Sequence, residues 1–389
     1  MRVLCTTQPG AGHLLPMIDV LRELARRGHQ VLVASAGPLR PLCARFGLDF
    51  AAVGPDFQVG EEARLVPALA KARQEGDRDF AYTRRVLVEM LAHAALPDLA
   101  RVVERWRPHV IVRDPVEFAG LAVAEAAGLP HVAGRDNRFL SPAAWRAELG
   151  GSLDALGREA GAGGLGVDAL HRHLTLAPAL PSFVTATDDL PEPREFGRHV
   201  GPTHRFLRPR TPSPAGRGGD AARPPAGPAG AVLITFGTVY TEEADVMAAV
   251  RAATPHLARE VVLASAGPHA GDDRWLDFDA VLPRCAAVVT VGGFGTTMAA
   301  LRHGVPLVIV PAGADHETNG RRCAALGAGR MVPRKALTAS TLRAAVTEVT
   351  DDPAYSAAAR GLAKEWAGLP DRDWGARQVE AVAAGRAIQ

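Results

Sequence analysis

Apolar and amphipathic segments alternate along the N-terminal third of the chain. A short apolar run at 3–5 ends in a Gly-rich turn, and apolar residues then recur at spacings of three and four from Leu14 to Ala25. This spacing predicts an amphipathic helix, which Arg26-Arg27-Gly28 ends with the cations and glycine typical of a helix C-terminus. Alternating strands and helices of this kind are typical of a parallel sheet covered on both faces. The same pattern predicts strands at 31–34, 110–112 and 130–133 and helices at 38–46 and 118–127.

The composition changes sharply between residues 208 and 230, where proline recurs among Gly, Ala and Arg. Such a segment cannot continue a helix or a central strand, so it is predicted to be an interdomain linker. Residues 150–166, rich in Gly and Ala, give no clear prediction. Apolar strands resume after the linker, at 232–236, 261–263, 287–291 and 307–310. The predicted organisation is two Rossmann-like α/β domains at 1–207 and 231–370, the linker at 208–230, and a C-terminal helix at 371–389 that packs back on the N-terminal domain.

The composition excludes several classes of protein. A chain of 389 residues with 47% hydrophobic and 22% charged residues is typical of a soluble globular protein, which excludes general disorder. The net charge is only +2, so we expect neither a nucleic-acid nor a membrane partner. The four cysteines lack C-x-x-C spacing, which indicates neither a disulfide framework nor a zinc site. The N-terminal apolar run is too short for a signal peptide, and no uncharged stretch reaches the length of a membrane span, so we expect a cytoplasmic protein.

Two polar residues lie where predicted strands of the first domain end, which is where parallel sheets bind ligands. His13 follows the first strand at the start of a helix, whose dipole favours a neutral imidazole able to accept a proton. Asp114 follows the strand at 110–112 and could hold one ring nitrogen, as the carboxylate of a catalytic triad does. Glu117 is a weaker candidate for that role. The alternative for either His13 or Asp114 is that it only caps a helix.

A glycine-rich turn follows the third strand of the second domain. Gly292-Gly293-Phe294-Gly295-Thr296-Thr297 precedes a predicted helix at 298–302. Glycines let a ligand approach the backbone, and a helix N-terminus favours a phosphate. The dinucleotide fingerprint G-x-G-x-x-G is incomplete, because Met298 takes the place of its third glycine. The sequence therefore predicts a phosphate-binding turn without a Rossmann fingerprint.

Asp315 and His316 follow the next strand, at 307–310, and are predicted to project beside the glycine turn, where they could bond hydroxyl groups. The alternative for Asp315 is again a helix cap. His316-Glu317 lacks the second histidine of an H-E-x-x-H zinc site, and no metal site is predicted.

Taken together, these motifs resemble those of the bacterial antibiotic glycosyltransferases of family 1, the calicheamicin and macrolide type that transfers deoxysugars to natural products. The N-terminal resemblance lies in Gly12–Pro16 and Leu24–Val31. The C-terminal resemblance lies in 292–306 and 311–329, with Phe236-Gly237-Thr238 as the turn that opens the second half. The resemblance covers nearly the whole chain. It implies the GT-B fold, in which two Rossmann-like domains face each other across a cleft.

The resemblance also implies an activity and a set of site residues. The protein is expected to be a metal-independent, inverting glycosyltransferase that moves a sugar from a dTDP- or UDP-sugar to a hydroxyl of an aglycone such as a polyketide, without a further cofactor. His13 would be the general base and Asp114 its partner. The donor's diphosphate would face Thr238, Gly293, Gly295 and Thr296, and its sugar would face Asp315 and His316. A homodimer is compatible with the sequence.

Three departures from the family pattern leave alternatives open. Val291 stands where the family usually has a histidine that donates to the diphosphate, and His316 stands where it often has glutamine. The stretch between Gly267 and Leu282 is shorter than in the family, which normally has there an extra strand and a loop packed on the nucleotide base. One alternative is therefore a degenerate homologue that binds ligand or protein without catalysis. A less favoured one is an NAD(P)-dependent oxidoreductase, since Asp315 lies about 20 residues past the glycine turn.

Overall fold

A computed structural model of the chain describes residues 1–56, 82–134, 142–186, 201–208, 230–236, 244–264, 276–313 and 315–389. The chain forms two compact α/β units. The first comprises Met1–Pro178, Glu192–Ala215 and Pro370–Gln389, and the second comprises Ala179–Pro191 and Gly216–Leu369. Among the described residues, no helix has both the length and the apolar character needed to cross a bilayer.

The strands of the described residues are short and widely separated in the chain. They are β1 (Arg2–Thr6), β2 (Gln30–Ser35), β3 (Asp49–Ala52), β4 (Val110–Arg113), β5 (His131–Ala133), β6 (Leu174–Ala177), β7 (His204–Phe206), β8 (Ala231–Thr235), β9 (Val261–Ala264), β10 (Cys285–Thr290), β11 (Leu307–Ile309) and β12 (Gly329–Met331).

Helices connect most of these strands. They are α1 (Ala11–Arg26), α2 (Arg40–Arg45), α3 (His93–Trp106), α4 (Phe118–Ala126), α5 (Pro142–Ala160), α6 (Pro181–Thr185), α7 (Ala244–Ala253), α8 (Phe278–Val281), α9 (Phe294–Arg302), α10 (His316–Ala325), α11 (Ala339–Asp351), α12 (Pro353–Gly368) and α13 (Arg372–Ala383). A π-helical stretch, Thr83–Ala92, leads directly into α3, and 3₁₀ turns occur at Gly37–Leu39, Val167–His171, Thr254–His256, Leu282–Arg284 and Arg334–Ala336.

The first unit is built on a parallel sheet of seven strands in the order β3-β2-β1-β4-β5-β6-β7. Its two faces carry separate apolar cores, because side chains of a strand alternate between the faces. Leu4 and Ile111 belong to one core, whereas Val3 and Val112 belong to the other. The predicted parallel sheet covered on both faces is thus present. The order of the strands also places β1 beside β4, with Thr6 opposite Arg113, which brings together the turns that follow these two strands.

Helix α5 covers much of the Gly/Ala-rich stretch at 150–166, whose composition alone predicts no clear element. Glycine lowers helix propensity, but apolar side chains at spacings of four and three outweigh this cost when they are buried. Leu149, Leu153 and Leu156 are each 0% exposed on one face of the helix. Packing, rather than intrinsic propensity, therefore fixes this helix.

The second unit is built on a parallel sheet of five strands in the order β12-β11-β10-β8-β9. Its core includes Val232 and Ile234 of β8, Val289 of β10 and Val308 of β11, packed under α7 and α11. Strand β10 lies at the middle of the sheet and leads into the glycine turn. Both units have the fold class expected from the sequence.

One segment of the predicted N-terminal domain, 179–191, belongs instead to the second unit. Its helix α6 is held there by polar and aromatic contacts. The backbone N–H and the hydroxyl of Ser182 donate to the Glu365 carboxylate over 3.0 and 2.5 Å. The ring of Phe183, which is 0% exposed, lies 5.5 Å from the guanidinium carbon of Arg322. The boundary at 207 therefore misplaces this segment.

Helix α13 packs in the first unit, against α1. Gly375 makes close packing possible, because a Cβ at this position would lie 3.1 Å from Leu207 and 3.2 Å from Val20. Polar contacts fix the same helix, since Arg27 donates twice to the Glu380 carboxylate, each time over 2.8 Å.

Candidate active site

His13 lies in the first turn of α1, immediately after β1 and its Gly-rich turn. The N-cap residue of this helix, Gly10, has an extended backbone and makes no side-chain cap. Because the helix starts at Ala11, the imidazole is carried at the carboxyl edge of the sheet, and its side chain is 21% exposed. The imidazole is therefore partly exposed, and the backbone that carries it is held in α1.

Asp114 lies beside His13, although the two residues are 101 positions apart in the chain. The distance between His13 Nδ1 and Asp114 Oδ2 is 2.5 Å, and the Asp114 side chain is 0% exposed. The backbone N–H of Asp114 also donates to the carbonyl oxygen of Thr6 at the end of β1, over 2.8 Å. An ionised carboxylate only accepts hydrogen bonds, so the ring donates from Nδ1 and Nε2 is the nitrogen that can take up a proton.

The carboxylate of Asp114 is not the cap of the following helix. Its Oδ1 accepts from the N–H of Val116 over 3.2 Å, within the turn between β4 and α4. The N-cap of α4 is Glu117, whose carboxylate accepts from the N–H groups of Ala119 and Gly120 at 2.9 Å each. The capping alternative for Asp114 is therefore wrong, and so is Glu117 as a substitute partner of His13. Burial raises the pKa of the Glu117 carboxyl, and its hydrogen bonds partly offset this effect.

The glycine turn leads into α9 earlier than predicted. The helix begins at Phe294 rather than Met298, with Gly293 as its N-cap, so Gly295 and Thr296 lie in its first turn. The first N–H groups of a helix have no acceptor within the helix and favour an anion. Among the residues that the structure describes, a Cβ at Gly295 would meet nothing within 4 Å, so these residues leave the backbone there open to a ligand.

Gly292 is required by the backbone of the same turn. Its φ is +91°, and a Cβ would lie 2.6 Å from Cγ2 of Ile309. Side chains at this position would be strained and would also overlap β11. Val291, just before the turn, is 2% exposed and belongs to the core.

Asp315 and Asn319 join the glycine turn to α10. Asp315 occupies the N-cap position of α10 without a side-chain cap bond, and its Oδ2 accepts from the Asn319 amide over 3.1 Å. The same amide nitrogen donates to the carbonyl oxygen of Gly292 over 2.8 Å. Asn319 was absent from the predicted site. The signal that could have found it is its position one helical turn after Asp315, on the same face of the helix.

His316 lies beside the glycine turn and is buried, with only 4% of the residue exposed. Its Nδ1 accepts from the N–H groups of Ala312 and Gly313 over 3.3 and 3.2 Å, which places the proton of the neutral ring on Nε2. Nε2 lies 3.9 Å from the position of a Cβ on Gly293, so it faces the glycine turn. Burial lowers the pKa of His316, partly offset by the charge of Asp315, and the ring is therefore a neutral donor.

The structure thus brings His13 to Asp114 in the first unit, and Asp315 and His316 to the glycine turn in the second. Thr238 lies outside the described residues, as does most of the shortened stretch between Gly267 and Leu282. Within the described part of the chain, no group of three or more His, Cys, Asp and Glu side chains could hold a metal ion.

Comparisons with known proteins identify the family. Residues 23–138 match the N-terminal domain and residues 272–382 the C-terminal domain of the erythromycin biosynthesis protein CIII-like family. The L-demethylnoviosyl transferase of Streptomyces niveus is 31% identical over 95% of each chain. The elloramycin glycosyltransferase ElmGT of Streptomyces olivaceus is 33% identical over 95% of this chain and 94% of its own. A solved spinosyn rhamnosyltransferase complexed with thymidine diphosphate is 25% identical, with a TM-score of 0.73 over 98% of this chain and 100% of its own. The chain therefore belongs to the erythromycin biosynthesis protein CIII-like family and is a natural-product glycosyltransferase of the GT-B fold.

Proposed function

We propose that this protein transfers a deoxysugar, with inversion at the anomeric carbon, from a dTDP- or UDP-sugar to a hydroxyl of a natural-product aglycone such as a polyketide. The observation that carries the proposal is the contact between His13 and Asp114. A buried carboxylate that fixes the tautomer of a partly exposed imidazole is the arrangement that general-base catalysis needs.

The first unit would supply the base. His13 accepts the proton of the acceptor hydroxyl at Nε2 while the hydroxyl oxygen attacks the anomeric carbon. Asp114 holds Nδ1–H and stabilises the imidazolium that forms. General-base assistance of this kind contributes ~10²–10⁴-fold to a rate. The bond between the anomeric carbon and the diphosphate oxygen breaks as the new glycosidic bond forms, so the configuration inverts.

The second unit would hold the donor. The N-terminus of α9 and the backbone at Gly293, Gly295 and Thr296 stabilise the negative charge of the leaving diphosphate without a metal ion. Thr238 is proposed for the same group on the family resemblance alone. Asp315 would accept hydrogen bonds from sugar hydroxyls. His316 would donate from Nε2, because its Nδ1 is already bonded to the backbone.

The relatives favour particular substrates. The solved spinosyn rhamnosyltransferase is complexed with thymidine diphosphate, which favours a dTDP-sugar over a UDP-sugar. Rhamnose is a 6-deoxysugar, in agreement with a deoxysugar donor. Membership of a transferase family overturns the oxidoreductase alternative. A degenerate binding protein would differ from the proposed enzyme in one measurable property, because it would bind ligand without turnover.

The proposal is tested by incubating the protein with a panel of dTDP- and UDP-sugars and polyketide aglycones. We expect release of the nucleoside diphosphate together with a glycoside whose anomeric configuration, read by NMR, is opposite to that of the donor. Turnover should be unchanged by EDTA. Binding of a donor by calorimetry without turnover on any acceptor would instead support the degenerate binding protein, and retained configuration would refute the inverting mechanism.

A further inference from the structure

Gln8 connects the two turns that carry His13 and Asp114. It lies in the turn between β1 and α1 and is 5% exposed. Its side-chain Nε2 donates to the carbonyl oxygen of Val116, in the turn between β4 and α4, over 2.9 Å. The two residues are 108 positions apart in the chain. A buried side-chain amide thus bridges the two turns at a point separate from the contact between His13 and Asp114.

This bridge closes a ring of contacts around the carboxylate. The Val116 whose carbonyl accepts from Gln8 also donates its N–H to Asp114 Oδ1, over 3.2 Å. Asp114 Oδ2 contacts His13, which lies in the first turn of α1, the helix that follows the turn carrying Gln8. Val116 therefore links Gln8 to Oδ1 of Asp114, while Oδ2 of the same carboxylate contacts the His13 imidazole.

We propose that Gln8 is a positioning residue that acts through Val116 to orient the carboxylate of Asp114 towards His13. The inference rests on the proposed role of these two residues in transfer. Without the amide donor, the buried carbonyl of Val116 loses its partner and the turn can rotate to find another. Rotation of the turn moves the Val116 N–H and changes the orientation of the carboxylate. The imidazole then loses the contact that fixes its tautomer.

The same turn offers a matched control. The hydroxyl of Ser35, which is 2% exposed, donates to the carbonyl oxygen of Thr7 over 2.7 Å. Ser35→Ala therefore removes a buried hydrogen bond from the residue next to Gln8, but this bond does not lead to the Asp114 carboxylate. Gln8→Met keeps approximately the size of the side chain and removes the donor.

The test compares kcat, acceptor KM and donor affinity in these variants. Gln8→Met should lower kcat about 10-fold, the factor that corresponds to one hydrogen bond of ordinary net strength, with donor affinity unchanged. Ser35→Ala should keep kcat within about twofold of the wild type. The ¹⁵N spectrum of His13 should show a single Nδ1–H tautomer in the wild type and in Ser35→Ala, and a mixture of tautomers in Gln8→Met.

A double-mutant cycle separates positioning from a general loss of stability. In an Asp114→Asn background, Gln8→Met should have no further effect on kcat, because the carboxylate it positions is gone. If Gln8→Met does not fold, Gln8→Leu serves in its place, since it also removes the donor to the Val116 carbonyl. Equal, additive losses in both backgrounds, or an unchanged kcat and His13 spectrum, would overturn the role of Gln8 alone. An unchanged kcat in Asp114→Asn would overturn the proposed base mechanism and this inference together.

Discussion

The ion pairs that hold the C-terminal helix α13 predict a pH-dependent contribution to its docking. Glu380 accepts two hydrogen bonds from Arg27, and His29 Nε2 lies 2.7 Å from the same carboxylate. The Glu380 side chain is 19% exposed. These partners lower the pKa of Glu380 from 4.5 to about 2. Glu380→Gln keeps the shape of the side chain and removes the charge, so it isolates this contribution.

The size of the effect follows from the shift in pKa. One pKa unit corresponds to ~1.4 kcal/mol, so a fall from 4.5 to about 2 sets an upper limit of ~3 kcal/mol. Solvent reaches part of the network and screens it, and we expect ~1–2 kcal/mol. Because the carboxyl has a lower pKa in the folded protein than in the unfolded chain, the stabilisation is complete above pH 4.5 and is lost as the pH falls towards 2.

Hydrogen exchange of the amides in α13 measures this contribution directly. At pH 7, Glu380→Gln should exchange ~5–30-fold faster than the wild type, the factor that corresponds to 1–2 kcal/mol. The ratio should persist at pH 5 and shrink at pH 3. Glu104→Gln, an exposed glutamate on α3, is the matched control and should leave exchange in α13 unchanged. An equal ratio at pH 7 and pH 3, or no difference at pH 7, would show that the charge of Glu380 does not hold α13 in place.

Three further predictions concern stability and the proposed donor site. A Cβ at Gly120 would overlap the Thr6 hydroxyl and the Glu117 carboxylate. Gly120→Ala should therefore lower the free energy of unfolding by ~1–3 kcal/mol in denaturant titrations. An unchanged midpoint of denaturation would contradict this close packing. Burial lowers the pKa of His131 from 6.5 to about 4, so the wild type should lose thermal stability as the pH falls from 6.5 to 4, and His131→Gln should show a flatter dependence over that range. Asn319→Ala removes the amide that bonds the Gly292 carbonyl and Asp315. Calorimetry should show donor affinity ~10-fold weaker, with acceptor affinity unchanged. Equal losses of affinity for both substrates would contradict a local effect.

The fold was largely predictable because its signals are local. Apolar runs of strand length and helical spacings repeat through both halves, and each predicted strand is present within one or two residues. The exceptions depend on tertiary contacts. Helix α5 exists because Leu149, Leu153 and Leu156 are buried together, and segment 179–191 joins the second unit because Phe183 and Ser182 find partners there. Arg322 and Glu365, which contact Phe183 and Ser182, lie far from them in the sequence.

For the candidate site, the sequence indicated the residue types and the contact between His13 and Asp114, but not the hydrogen bonds to the backbone. His13 and Asp114 were recognised at strand ends, and the adjacency of β1 and β4 brings them together. The orientation of His316 depends on backbone N–H groups at Ala312 and Gly313, which no sequence pattern shows. The same holds for the choice between Asp114 and Glu117 as the cap of α4. Both are acidic residues near a helix start, and only the turn geometry distinguishes them.

The proposed role of His13, which takes the proton of the acceptor hydroxyl, is tested by replacing its imidazole. The experiment compares His13→Ala with the wild type in kcat for transfer to a saturating acceptor and in donor affinity by calorimetry. We expect kcat to fall ~10²–10⁴-fold, with donor affinity within about threefold of the wild type. A folded His13→Ala variant that transfers the sugar at the wild-type rate would contradict it.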